Sequence, residues 1–441
     1  MEETLSSENI ATYSGTEKTL VALSATLGYC LDFYNIMIMA FMFSAIEHAL
    51  SITLAQAGLV ISMTLAASVL GGVLIGFLGD KIGRKNALLA SLILIAIGAI
   101  LSAFAWNFVS LLIFRIFAGI GIGGEWGAGI VLFNEVWDRH RRGLGSGIIQ
   151  AMSAVGLALA SVVSAYCLTH YEADLAWRIA MAIGGLPIIL AALVRTSMPE
   201  SKLWVAYKTR ERRGDLPAAK IGEAGPLLGT FQVASGRYFI LGTVIVGGYI
   251  MSYQSGTTFM PTLMGRVLGA GPETIRNAVL LWAAFVAVAN ALTGHLSDRY
   301  GRKRLVVGSA GVVAIGFVAI LLAGDIKYPG SFLTWPLFWA YVLWGVGQGG
   351  SAVFGPWYAE LYPVEYRATA VSTIYTTGRL IGSSAPYVVP ALAAAFGSLV
   401  DAMMFGLFGC LVGLFTALVL PETAGRKFAV VEDWTQEPAS M

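Results

Sequence analysis

Charge is scarce in this chain. Only 12% of its 441 residues are Asp, Glu, Lys or Arg, about half of what a soluble domain carries. A globule solvated on every side is therefore excluded. Histidine is scarcer still. His48, His140, His170 and His295 show no metal-ligand spacing, and no nucleophile elbow accompanies them, so neither an enzyme nor a metal site is expected. The three cysteines, Cys30, Cys167 and Cys410, all fall in apolar runs. They read as packing, not as a disulfide framework. The net charge is only +2, with no basic block carrying interleaved aromatics. Nothing suggests a nucleic-acid partner. The N-terminal stretch MEETLSSENIATYSGTEK lacks the basic region of a cleavable signal. The first apolar run is therefore expected to remain in the mature protein.

What the chain has is apolar length: 57% hydrophobic residues and a mean hydropathy of +0.73. A bilayer core takes roughly 20 apolar residues per helix. Twelve spans are read: 21–48, 56–78, 88–107, 109–133, 144–168, 177–197, 238–263, 277–297, 304–324, 333–358, 368–394 and 399–420. The polar stretch 198–237 divides them six and six. The expected organisation is a tail (1–20), a six-helix bundle (21–197), a linker (198–237), a second bundle (238–421) and a tail (422–441). Of the Lys and Arg residues, 22 fall on one side, with both termini and the linker, and four on the other. The positive-inside rule makes the basic side cytoplasmic. A bacterial inner-membrane or other plasma-membrane location is expected.

The halves echo each other. GFLGDKIGRKNAL (76–88) and GHLSDRYGRKRLV (294–306) follow spans 2 and 8, offset by 218. In NEVWDRHRRG and AELYPVEYRA, Glu135 precedes Arg142 by seven and Glu360 precedes Arg367 by seven. MPES closes span 6 and LPET closes span 12. Such a repeat implies two similar bundles with a site between them near the midplane, a recurring plan of secondary transporters.

GDKIGRK and SDRYGRK resemble the loop signature of the major facilitator superfamily. RIFAGIGIG (115–123) is similar to its sugar porters. GGEWGAG (123–129) is similar to its metabolite–proton symporters for sialate, lactate and other organic acids, and TTGRLIGSSAP (376–386) resembles its aromatic-acid symporters. Some monocarboxylate members carry a His and an Asp in span 7, where this chain reads YIMSYQSGTTFMPT. The resemblance implies a monomeric all-α carrier that moves a small molecule by alternating access, surrounded by lipid and without a cofactor.

Asp80, Arg84, Glu135 and Arg142, with Asp298, Arg302, Glu360 and Arg367, are expected to form a charge network that closes the cytoplasmic side. The alternative is a signal for topology alone. Gly83 suits the tight turn between Asp80 and Arg84.

Four charges lie at bilayer depth, where charge is costly and usually functional: Asp32, Arg115, Glu125 and Arg379. Helical rise puts Asp32 about 17 Å from the inner face and Arg115 about 9 Å below the outer one, close enough to pair. Sugar porters place a coupling Asp and Arg in these two spans. The expected device is a switch in which separation from Arg115 lets Asp32 take up a proton. A static ion pair is the alternative. Glu125 reads equally as a second titrating group or as a packing partner for span 5. The glycines around it permit close helix approach.

Arg379 lies roughly 17 Å deep in span 11, with Tyr375 one turn below, and the second bundle offers no acid at that depth. A guanidinium there suits a ligand carboxylate, although backbone carbonyls or Asp32 itself could also hold it. Tyr34, Asn35, Tyr253, Gln254, Asn290, Trp344 and Gln348 are further lining candidates, suiting a hydroxylated or aromatic acid, or a sugar. The expected function is proton-coupled uptake of a small organic anion. The alternatives are a sugar or polyol symporter or facilitator, and a drug or metabolite exporter.

Overall fold

A computed structural model describes residues 13–213, 225–324, 331–363 and 367–424. The expected N-terminal tail, the middle of the linker and most of the C-terminal tail lie outside these residues. The described secondary structure is helical throughout, which satisfies each backbone polar group within its own segment, as a bilayer demands of an open chain of spans.

In the first bundle, span 1 is Gly15–Phe41, continued by Phe43–Leu50; span 2 is Leu54–Ile82, span 3 Arg84–Ala103, span 4 Phe108–Val136 and span 5 Arg142–His170. Span 6 breaks at Gly184–Leu186 into Ala173–Ile183 and Pro187–Ser197. The second bundle begins with span 7, Arg237–Thr257, which passes into an irregular stretch with a π turn over Leu263–Val267. Spans 8 and 9 are Pro272–Tyr300 and Arg302–Ala323. Span 10 is Pro336–Gly347, a tighter 3₁₀ stretch Gln348–Val353, and Phe354–Glu360. Span 11 is Arg367–Gly382 followed by Ala385–Phe396, and span 12 is Leu399–Met403 followed by Phe405–Ala417. Ten helices among the described residues are long and apolar enough to cross a bilayer. Spans 10 and 11 complete the twelve in segments broken by the glycine run 345–350 and by Ser383–Ser384.

The turn in each repeated loop is a single glycine. Gly83 (φ 102°) and Gly301 (φ 104°) stand between helices that otherwise abut, a conformation L side chains rarely adopt. The expected loops 79–87 and 298–303 are thus mostly helix. In span 4, a Cβ at Gly123 would run into the Ser68 backbone of span 2, so the close approach expected of these glycines is real.

Two seams join the bundles: span 2 against span 11, and span 5 against span 8. Both tighten toward the end that carries the repeated basic motifs, called here the basic end. At the opposite end the bundles part around a cavity of about 260 Å³. The described linker residues Lys202–Arg213 form a helix at the basic end, where Trp204 Nε1 donates to Asp80 O at 2.9 Å.

Candidate functional site between the bundles

Asp32, Glu125 and Arg379 are each at least 97% buried. The structure brings them together from spans 1, 4 and 11. The Asp32 carboxylate faces Glu125, and Arg379 is the cation acting on both. Glu125 can come this close because Gly28, one turn before Asp32, has no Cβ: one there would run into Glu125 Oε1. Both Asp32 oxygens and Glu125 Oε2 are buried without a hydrogen-bond partner among the described residues.

The expected Asp32–Arg115 pair is not formed. Arg115 Nη2 instead donates to the Asn35 carbonyl at 2.6 Å. That places the guanidinium one turn from Asp32 toward the end opposite the basic motifs, while the carboxylate turns toward Glu125. Helical rise gave the depth to within a turn, and a turn is the whole difference between these partners.

Tyr34 and Asn35 also move out of the candidate pocket. Tyr34 OH donates to Ala180 O at 2.7 Å and Asn35 Nδ2 to Gly184 O at 2.9 Å. Both hold span 6. Phe33, Ile36 and Met37 occupy the face of span 1 that looks into the cleft.

The floor of the cleft is aromatic. Tyr375 stacks on Trp126 across the bundles with ring centroids 3.7 Å apart. Its hydroxyl is 3.3 Å from that of Tyr29, which accepts a 2.9 Å bond from Gln150 Nε2. Arg379 lies over the Tyr375 ring at 5.0 Å. On the other side Phe33 meets Tyr253 edge-on at 5.9 Å.

Between these layers is a cavity of only about 20 Å³, lined by Phe33, Tyr249, Tyr253, Gln254, Tyr375 and Arg379 among others. It has room for about one water and no organic ligand, so the central site is contracted in this state. Arg379 Nη1, Tyr253 OH and Gln254 Oε1 are buried there without partners among the described residues. Buried polar atoms are nearly always satisfied, and unsatisfied ones converging on one cavity are the usual mark of a ligand site.

Of three further candidates in the second bundle, Trp344 meets the ring of the pocket's Tyr253 at 6.2 Å. Gln348 Nε2 donates to Ser252 at 3.0 Å. Asn290 donates to Val286 O and accepts from Ser351. Trp344 stacks on Trp282 and packs on Phe317 and Tyr341. The sequence reading missed Tyr29 and Trp126. Tyr29 lies one turn from Asp32 on the same face of span 1, so its spacing was available; Trp126, next to Glu125 in sequence, points elsewhere on span 4 and had no such signal.

The charged residues of the repeated motifs form ion pairs that cross between bundles. Arg84 pairs with Asp80 at 3.2 Å and Glu135 at 3.4 Å; Arg302 pairs with Asp298 at 2.7 Å and Glu360 at 3.1 Å. Glu135 reaches Arg367 of the other bundle at 3.6 Å, and Arg142 acts on Glu360 across the same boundary.

The two aspartates do more. Asp80 Oδ2 accepts from Thr369 N at 3.0 Å and Thr369 Oγ1 at 2.6 Å, at the N-terminus of span 11. Asp298 accepts from Gly143 N at 2.8 Å and Leu144 N at 2.9 Å, at the N-terminus of span 5. Each bundle therefore supplies the anionic cap for a helix of the other. Within each bundle a second cap follows. Glu200 accepts from the amides of Arg84 and Lys85, and Glu422 from those of Arg302 and Lys303. Burial pushes the Glu200 carboxyl above its ordinary value, against those hydrogen bonds.

Two six-helix bundles related by an internal repeat, with unsatisfied polar groups at mid-depth and a charge network at one end, define a multi-pass secondary transporter. The model of the Major Facilitator Superfamily matches residues 25–386 and 245–436, and the chain belongs to that family. It is 28% identical over 404 residues to a "Probable 4-methylmuconolactone transporter" of Cupriavidus pinatubonensis, covering 90% of this chain and 89% of that protein. It is 25% identical to the niacin transporter NiaP of Acinetobacter baylyi, covering 91% and 93%. Among solved structures it resembles the proton:xylose symporter XylE, with a TM-score of 0.75 at 19% identity, covering 96% of this chain and 100% of that one. The likeness to XylE is one of fold. The chain is a membrane-embedded transporter and not an enzyme.

Proposed function

We propose that this transporter takes up a small organic carboxylate together with a proton by alternating access, as a monomer in the plasma membrane with both termini cytoplasmic. The observation that carries this is Arg379. Its guanidinium projects from the second bundle into the cleft, with Nη1 buried and unsatisfied beside the equally unsatisfied Tyr253 OH and Gln254 Oε1. A planar fork of donors ringed by aromatic walls suits a carboxylate, above all one on a flat or unsaturated body. The names of the methylmuconolactone and niacin relatives support an acid of this kind.

Coupling rests on Asp32 and Glu125. In the empty site Arg379 serves as counter-cation to both. An incoming carboxylate competes for it, and a proton held between Asp32 and Glu125 compensates the charge that Arg379 no longer offsets. Anion and proton then travel together. Arg115, bonded to the Asn35 carbonyl, positions span 1 and stays outside the pair that exchanges the proton.

Uptake into proteoliposomes with an imposed pH gradient tests this reading. Nicotinate, benzoate, lactate, sialate, xylose and a cationic amine form the panel. Concentrative uptake of at least one acid, collapsing when the gradient is dissipated, is the expected result. Transport of the sugar or amine with no response to any acid overturns it.

A further inference from the structure

We infer that the cavity at the end opposite the basic motifs is a second, outer anion-binding subsite, in which Arg276 receives the carboxylate before Arg379 does. The inference rests on the carboxylate reading above. The cavity, about 260 Å³, is an order of magnitude larger than the one at Arg379. It stands between the outer ends of spans 1, 5, 7 and 8, so both bundles wall it. Its lining is apolar with a few hydroxyls, Ser44, Ser161, Ser164 and Thr262, and one charged side chain, Arg276.

Arg276 is half-buried, and its Nε donates to Asn277 Oδ1 at 3.1 Å. No protein partner engages its two terminal nitrogens among the described residues. Glu273, one turn earlier on the same helix, is exposed and makes no ion pair with it there. The guanidinium therefore keeps a free fork at the wall of a cavity large enough for a small aromatic acid.

The two cavities share their walls. Ile36 and Met37 of span 1 line the inner one, and Ala40, Phe41 and Ser44 line the outer one a turn further on. On span 7 the succession is Tyr253 and Gln254, then Thr262. A ligand leaving Arg276 inward meets the Arg379 pocket next. A half-buried cation of this kind concentrates anions and disfavours cations at the mouth, and salt screens it.

The test uses Ser44→Cys in the full-length protein. Ser44 is exposed, whereas the native cysteines are buried. The ratio of modification rates by an anionic and a cationic methanethiosulfonate reports the local potential. With Arg276→Gln added, the ratio should fall severalfold at low salt, as the loss of one unit charge from the same cavity wall dictates. Millimolar benzoate should slow modification in Ser44→Cys, and Arg276→Gln should abolish that protection while Arg276→Lys retains part of it. Protection should persist in Arg379→Gln, which separates the outer subsite from the inner one. An unchanged ratio and unchanged protection in Arg276→Gln overturn the subsite. Protection lost in Arg379→Gln instead also overturns it, because benzoate then acts only from within. Protection that depends on Arg276, with acid binding indifferent to Arg379, leaves the subsite standing and removes the inner assignment.

Discussion

Asp80 and Thr369 belong to different bundles, yet Asp80 Oδ2 lies 2.6 Å from Thr369 Oγ1 and 3.0 Å from its amide. A carboxylate of one bundle thus caps a helix of the other, and Asp298 returns the arrangement at Gly143 and Leu144. We propose that these bonds form a latch at the basic end, which bundle rocking would have to break.

Asp80→Asn keeps an acceptor but removes the charge at the helix terminus. It should shift the equilibrium toward opening at the basic end by roughly 1 kcal/mol, about fivefold in population. Spin-label distances across that end should lengthen. Asp298→Asn should act in the same direction, and the double variant should exceed either. Unchanged distances in both would reduce the motif to a topology signal.

A different route to the same state runs through Gly127. A Cβ there would run into the Ser372 side chain across the span 4–span 11 seam. Gly127→Val should therefore open the basic end and lower uptake at least tenfold, while Gly15→Val, whose added Cβ meets nothing within 4 Å, should leave both unchanged. Normal uptake by Gly127→Val would contradict the tight closure of this seam.

Glu200 gives a pH signature outside the membrane. Burial holds its carboxyl above the ordinary value of 4.5. A raised value means the folded protein binds this proton more tightly than the unfolded chain does. The stability it contributes is complete below about 4.5 and is lost as pH rises through the folded-state value. Glu200→Gln should remove that part of the slope, measured as Tm against pH. A curve identical to wild type would show that Glu200 does not titrate in this window.

The coupling pair predicts a split between two assays. Asp32→Asn should abolish accumulation driven by a pH gradient while leaving counterflow exchange of substrate partly intact. Glu125→Gln should do the same, because the two carboxyls face each other. Arg115→Lys should retain coupling. Accumulation that survives Asp32→Asn would move the coupling site elsewhere.

Much of the fold was legible because bilayer physics imposes long apolar runs, and the internal repeat located the basic end twice. The single-glycine turns at Gly83 and Gly301 and the network from Asp80 to Arg367 could be read from those motifs. Partner choice could not. Glu135 and Arg142 lie seven residues apart in sequence, yet Glu135 turns to Arg84 and to Arg367 of the other bundle. Depth along a helix follows from 1.5 Å per residue. Which neighbour a side chain meets depends on helix rotation and on one-turn offsets, which rise alone does not supply. That is why Asp32 meets Glu125 and Arg115 meets the Asn35 carbonyl. Gly28 was the missing clue, a gap in span 1 shaped to the Glu125 carboxyl. The broken spans 10 and 11 were hidden because their glycines, serines and prolines sit within otherwise apolar stretches.

The central claim is that Arg379 holds the substrate's carboxylate, and equilibrium binding to the purified protein tests it most directly. The transported acid should bind wild type, bind Arg379→Lys at least tenfold more weakly because the ammonium lacks the planar fork, and bind Arg379→Gln scarcely at all. Acid binding to Arg379→Gln within twofold of wild type, or saturable binding of an uncharged sugar that no carboxylate displaces, would contradict the account.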